Sequence, residues 1–172
     1  SFTAGFIDSI AGGGGLLTLP SYLIAGIPPH YALGTNKFQG TIGTCVAVFN
    51  YIRSGHVRLK VILTGILFVL GGSFIGSRMI LHFDQATAGK IIILLLPAGI
   101  AATLLPKKNG SEKHRLTLKE YFLIIPMTGF IIGFYDGFFG PGTGAFLAIS
   151  FHIFLKLDLI EATANAKVFN LL

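Results

Sequence analysis

Charged residues, cysteine and tryptophan are scarce in this chain of 172 residues. Only 12% of the residues are Asp, Glu, Lys or Arg, whereas 52% are hydrophobic, and Trp is absent. A soluble domain has about 25% charged residues. The mean hydropathy of +0.75 also indicates that polar sequence is too scarce to cover a globular core. The composition therefore predicts a protein whose surroundings are the lipid bilayer.

The lack of metal-binding and catalytic motifs excludes several classes of protein. A single cysteine, Cys45, excludes an intramolecular disulfide and a cysteine-rich metal site. The five histidines form neither an i, i+4 pair nor an HExxH motif, so we predict no metal and no other cofactor. Gly12–Gly15 lacks the Gly-Lys-Ser/Thr ending of an ATP-binding loop. No nucleophile–base pair is evident, so we predict that the protein is not an enzyme.

Uncharged runs make up most of the sequence. A transmembrane helix needs about 20 mostly apolar residues, and a shorter run is extended by terminal lysines and arginines that snorkel. The uncharged runs are residues 9–36, 38–52, 61–77, 91–106, 121–135 and 137–155. The predicted fold class is therefore all-α, a polytopic bundle of transmembrane helices.

Basic residues are concentrated in two connections between these runs. Three Lys or Arg residues lie in 53–60 and five in 106–120, whereas 82–89 has none. Positively charged loops stay in the cytoplasm, so both basic connections are predicted to be cytoplasmic. Two predicted spans, near 61–82 and 88–105, lie between them and return the chain to the same side. The net charge of +6 mostly reflects this bias, so we predict no nucleic-acid partner.

A segment containing glycine and aspartate occurs twice. GFIDSIAGGGG at 5–15 returns as GFYDGFFGPGT at 133–143, offset by 128 residues. In a membrane protein such a repeat predicts a transporter built from two related halves, parallel or inverted. Residues 1–105 would form the first transmembrane repeat, 106–120 a basic loop, and 121–172 the start of a second repeat. The first helix and the later spans of the second repeat would then be incomplete, so the sequence predicts a fragment.

The glycines in both copies predict discontinuous or re-entrant helices. Each glycine costs a helix interior about 1 kcal/mol relative to alanine, and Pro141 removes a backbone donor. Helices that restart near Leu16 and Ala145 would present N–H groups and a positive dipole end, which bind anions. The alternative is that these glycines permit close helix packing. The residues predicted to bind an anion at these breaks are Gly12, Gly13, Gly14, Gly15, Gly140, Gly142, Thr143 and Gly144.

A lysine-containing element follows each break. ALGTNKFQG at 32–40 aligns with ATANAKVFN at 162–170 after a two-residue shift. The lysines are suited to pair with an anion, and the neighbouring polar side chains offer neutral hydrogen bonds. The alternative is a helix cap with a lysine that snorkels to the interface. The side chains predicted to bind the anion are Thr35, Asn36, Lys37, Asn165 and Lys167.

An aspartate precedes each break, Asp8 in the first copy and Asp136 in the second. An acid within a spanning segment is costly and is a functional candidate. It could carry a coupling proton, orient a lysine or cap the broken helix. We favour a structural or proton-coupling role over direct contact, because a bare carboxylate would repel an anionic ligand. Protons are therefore candidate coupling ions.

These motifs resemble the sulfite exporter TauE/SafE family of bacterial membrane proteins, within the toluene-sulfonate-type permeases. The resemblance rests on GFIDSIAGGGGLLTLP at 5–20, ALGTNK at 32–37, GFYDGFFGPGTG at 133–144 and NAKVFN at 165–170. It implies a duplicated helical transporter of sulfur-containing anions such as sulfite, thiosulfate or organosulfonates. It also implies a location in the bacterial inner membrane.

The function that the sequence predicts is secondary transport of a small anion. Two halves would alternate access around a site near the bilayer midplane. An anion channel would use the same helix breaks as a filter, and a structural membrane subunit would use them for packing alone. The exact substrate, the direction of transport, the coupling ion and the oligomeric state are left open by the sequence.

Overall fold

The protein is described by a computed structural model that covers residues 14–104 and 116–172, without the side chain of Ala102. The described residues are helical, with no β-strand among them, which confirms the predicted all-α class. A π-helical turn, Glu120–Ile124, runs directly into α5. The helices are α1 Gly15–Ile24, α2 Pro29–Arg53, α3 Leu59–Ile80, α4 Gln85–Leu104, α5 Ile125–Phe138, α6 Thr143–Phe154 and α7 Leu159–Leu171.

Among the residues that the structure describes, two helical stretches are long and apolar enough to cross a membrane by length and composition. They are Leu59–Ile80 and Glu120–Phe138, and only 33% and 28% of their apolar windows are buried inside the protein. The core helix of a soluble protein would be mostly buried. Large apolar side chains such as Leu67 and Phe74 instead point outward, with 76% and 60% of their surfaces exposed. Such surfaces suit contact with lipid.

Helices α3 and α5 pack with their backbones in contact. A Cβ atom at Gly72 of α3 would overlap the carbonyl oxygen of Phe130, and one at Gly137 of α5 would overlap the carbonyl oxygen of Ser73. Small residues spaced four apart allow this approach in membrane helices. The glycines along this contact therefore serve close helix packing.

The buried side chains form two clusters. One contains Phe151 and Phe169, whose rings lie 5.3 Å apart, and joins α3, α5, α6 and α7. The other contains Leu19, Ile92 and Phe139 and joins α1, α2, the end of α3, α4 and the segment after α5. The polar cavity described below is lined by helices from both groups.

Short polar connections cap the helices outside the apolar segments. Asp84 precedes α4, and its Oδ2 accepts hydrogen bonds from the backbone N–H groups of Ala86 and Thr87 at 3.0 and 3.1 Å. Hydrogen bonds from the Thr87 hydroxyl and N–H hold the pKa of Asp84 below its usual value. Asp158 caps α7 in the same way, accepting from the N–H of Glu161 at 2.8 Å.

Candidate functional site

The chain leaves the helical conformation between α5 and α6. Gly140 and Gly142 have φ angles of +94° and +86°, in the left-handed region that glycine adopts without steric cost. Two hydroxyls fix this segment. Thr143 donates to the carbonyl of Gly140 at 2.5 Å, and Tyr135 donates to the carbonyl of Pro141 at 2.8 Å. Helix α6 therefore starts close to the restart predicted near Ala145.

The start of α1 lies against α2. The Thr18 hydroxyl donates to Asn36 Oδ1 at 2.5 Å and lies 3.2 Å from the carbonyl oxygen of Gly14. A Cβ atom at Gly15 would lie 2.8 Å from Asn36 Nδ2. The side chain of Asn36 therefore occupies the N-terminal end of α1, which carries the positive end of the helix dipole.

An ion pair joins α2 to α5. Lys37 Nζ donates to Asp136 Oδ2 at 2.7 Å, and the two side chains are 36% and 16% exposed. Lys37 also lies against the break, since a Cβ atom at Gly140 would be 3.4 Å from its Nζ. The pair therefore stands beside the non-helical segment and remains partly open to the cavity next to it.

A cavity of about 200 Å³ surrounds this ion pair. One water molecule takes about 30 Å³ of liquid volume, so a small oxyanion with a few waters would fit. The lining includes Gly14, Gly15, Thr18, Asn36, Lys37 and Asp136, together with Gly140. Of the side chains predicted to bind an anion, Asn36 and Lys37 therefore lie in one place, with Asp136 beside them.

Other predicted residues lie elsewhere. Gly142, Thr143 and Gly144 are buried at the start of α6, and Thr35 is exposed on α2, so none of the four lines the cavity. Asp8, Gly12, Gly13 and most of the 106–120 connection lie outside the described residues.

Asn165 and Lys167 of α7 are buried away from the cavity lining. Asn165 Oδ1 accepts from the backbone N–H of Arg58 at 3.0 Å, and its Nδ2 donates to the Glu161 carbonyl at 2.7 Å. Arg58 also pairs with the Glu161 carboxylate at 2.5 Å. Asn165 thus attaches the connection after α2 to α7. Lys167 is 2% exposed within the same helix.

Sequence reasoning did not single out five polar residues of the lining: Thr41 and Ser73, and three that lie in the segments quoted above, Thr18, Gln39 and Asn170. Gln39 accepts a hydrogen bond from the Tyr22 hydroxyl at 2.7 Å. A signal existed for Thr18, Gln39 and Asn170, because all three lie within the repeated segments or the family motifs. No group of three His, Cys, Asp or Glu residues that could hold a metal ion occurs in the part of the chain that the structure describes.

Helices with exposed apolar faces, together with an ion pair at a small polar cavity, indicate an integral membrane protein. The chain belongs to the Sulfite exporter TauE/SafE family, whose model matches residues 1–172. No solved structure matches the chain.

Three relatives carry names of the same kind. Probable membrane transporter protein ORF9 of Sinorhizobium sp. is 41% identical over 99% of this chain and 65% of its own length. A probable membrane transporter protein of Haemophilus influenzae is 40% identical over 98% and 66%. Probable membrane transporter protein YfcA of Escherichia coli K12 is 39% identical over 97% and 62%. The chain thus spans less than two thirds of the length of these relatives.

Proposed function

We propose that the complete protein is a secondary transporter of small sulfur-containing anions, and that the cavity beside Lys37 is its binding site. The family name and the relatives' names support transport. The substrates that we propose are sulfite, thiosulfate or an organosulfonate. The protein would lie in a bacterial inner membrane, with the 53–60 and 106–120 connections in the cytoplasm.

The observation that supports this site best is the position of Lys37. Its ammonium group lies at a cavity bordered by the start of α1 and by the break at Gly140. Helix N-termini and backbone N–H groups favour anions, and the Asn36 amide adds a neutral donor. One cation with neutral donors suits a small oxyanion, which needs hydrogen bonds on several oxygens.

The ion pair also fits alternating access. The sequence repeat assigns Lys37 to the first half of the transporter and Asp136 to the second. A cavity formed between two halves changes its exposure when one half moves relative to the other. We therefore propose that this cavity is the point around which the halves move.

The test is anion flux through the full-length protein in proteoliposomes. Uptake of sulfite, thiosulfate and methanesulfonate is compared between wild type and Lys37→Gln. Removing a charge-assisted hydrogen bond costs about 1.5–3 kcal/mol, so the apparent affinity should fall about ten- to a hundredfold. Lys60→Gln makes the same change at an exposed position outside the cavity lining and should leave uptake unchanged.

Unaltered uptake in a folded Lys37→Gln protein would exclude this cavity as the site. Saturable uptake that is accelerated by unlabelled anion on the opposite side would support a carrier. Flux that neither saturates nor shows such exchange would favour the anion channel. No flux of any of the three anions would favour a structural subunit.

A further inference from the structure

The lining of the proposed binding cavity already includes a negatively charged side chain, the carboxylate of Asp136. Among its described lining residues, Lys37 and Asp136 are the two with ionisable side chains, and they are paired at 2.7 Å. When both are charged, the cavity has no net charge from side chains to attract an anionic substrate. Any anion that reaches Lys37 Nζ also comes close to the carboxylate of Asp136 and is repelled by it.

Apart from Lys37, the described residues that line the cavity carry no positive charge to offset Asp136. Helices α1, α3 and α7 contribute Thr18, Ser73 and Asn170 to the lining, and all three are uncharged. Tyr135, next to it in α5, uses its hydroxyl to hold the Pro141 carbonyl. Arg78 of α3 lies over the ring of Phe74, and Lys167 of α7 is buried outside the lining. Among the described residues that line the cavity, Lys37 is therefore the cation paired with Asp136.

Two groups thus compete for one ammonium group. The substrate can replace Asp136 at Lys37 only if the carboxylate is left elsewhere as an unpaired charge or becomes neutral. Burying an unpaired carboxylate within the membrane is costly, whereas burying the neutral carboxylic acid costs far less. Protonation is therefore the less costly route.

We propose that Asp136 takes up one proton when an anion binds at Lys37, so that the proton and the anion cross the membrane together. The inference depends on the proposed transport function. A proton from water forms an O–H bond with the Asp136 carboxylate, the Lys37–Asp136 ion pair ends, and Lys37 Nζ pairs with the anion. Release reverses these steps, with no covalent change in the substrate. For a monovalent anion the cycle moves no net charge.

Accumulation against a pH gradient tests the coupling. The full-length protein is reconstituted with the membrane potential held at zero by potassium and valinomycin, and each of the three anions is tested. Methanesulfonate is the most informative, because it stays monoanionic across the working pH range and its own titration cannot mimic coupling. With one proton per monovalent anion, each pH unit (alkaline inside) should give about tenfold accumulation.

Variants then locate the proton. Asp136→Asn imitates the protonated acid, so it should lose the accumulation driven by the pH gradient, while exchange of labelled for unlabelled anion continues at a measurable rate. Asp136→Glu should restore accumulation. The matched control is Asp84→Asn, which removes an exposed carboxylate in the connection before α4 and should retain full coupling.

The outcomes separate this inference from the function on which it rests. Wild-type uptake that depends on Lys37 but ignores the pH gradient would overturn proton coupling and leave transport standing. Loss of exchange in a folded Asp136→Asn protein would also overturn it, because the acid would then be needed in its charged form. No flux of any anion would remove the proposed function and the inference with it.

Discussion

At the scale of a single residue, the predicted role of Asn165 differs from the contacts that its side chain makes in the structure. The sequence predicts that Asn165 binds the anion, as it also predicts for Asn36. In the structure its side-chain amide forms hydrogen bonds with the Arg58 N–H and the Glu161 carbonyl, outside the lining of the cavity. The two positions therefore lead to different expected phenotypes.

We expect Asn165→Ala to lower stability without changing anion affinity. Removing the hydrogen bond that Asn165 accepts from the partly buried N–H of Arg58 costs about 0.5–1.5 kcal/mol, so the thermal midpoint in detergent should fall. Asn36→Ala, at the cavity, should instead weaken anion uptake. An Asn165→Ala protein with normal stability and weakened anion affinity would return Asn165 to the binding site.

Only some of the residues predicted for the site line the cavity, because a motif indicates the chemistry of a side chain but not the direction in which it points in the fold. Lys37 and Asp136 stand out as charges within apolar sequence, so their importance could be predicted. Orientation of a lysine was one of the roles considered for Asp136, but the sequence could not decide that its partner is Lys37, 99 positions away. Thr18 was missed because the hydroxyl of a threonine in an apolar helix usually donates to the carbonyl of the preceding turn. The Thr18 hydroxyl lies within hydrogen-bond distance of the Gly14 carbonyl in this way.

At the scale of helices, the contact between α3 and α5 depends on the absence of side chains. Gly137→Ala would press a methyl group onto the Ser73 backbone. Overpacking of this kind costs about 1–3 kcal/mol, and we expect a lower thermal midpoint in detergent. Gly71→Ala is the matched control, because a Cβ atom there meets nothing within 4 Å. Equal stability of the two variants would contradict backbone contact at Gly137.

The helices themselves were largely predictable, whereas their partners were not. Helices α3 and α4, at Leu59–Ile80 and Gln85–Leu104, lie where charge-free runs predict spans near 61–82 and 88–105. Pro141 and its glycine neighbours likewise predict where helical structure stops. Helix pairing depends on which face each glycine presents, and a sequence in which nearly every face is apolar does not reveal it.

At the scale of the whole molecule, the distribution of basic residues predicts which side of the membrane each connection faces. A cysteine at Ser54 should react with an impermeant maleimide only from the cytoplasmic side. A cysteine in place of Gln85, the first residue of α4, should react only from the outer side. The native Cys45 is exposed on α2, so the experiment begins from Cys45→Ser in the full-length protein. Labelling of both positions from one side would contradict the predicted topology.

The backbone contact between α3 and α5 limits how the molecule can move. Side chains at an ordinary helix interface shift between rotamers, which lets helices slide by small steps. Glycines have no side chain that could change its rotamer, so we expect α3 and α5 to move as one rigid unit. The Thr18–Asn36 hydrogen bond joins α1 to α2, and the Lys37–Asp136 ion pair joins α2 to α5 through side chains. The relative movement proposed for the two halves would therefore be carried by α1 and α2 of the first half, while α3 of that half stays fixed against α5.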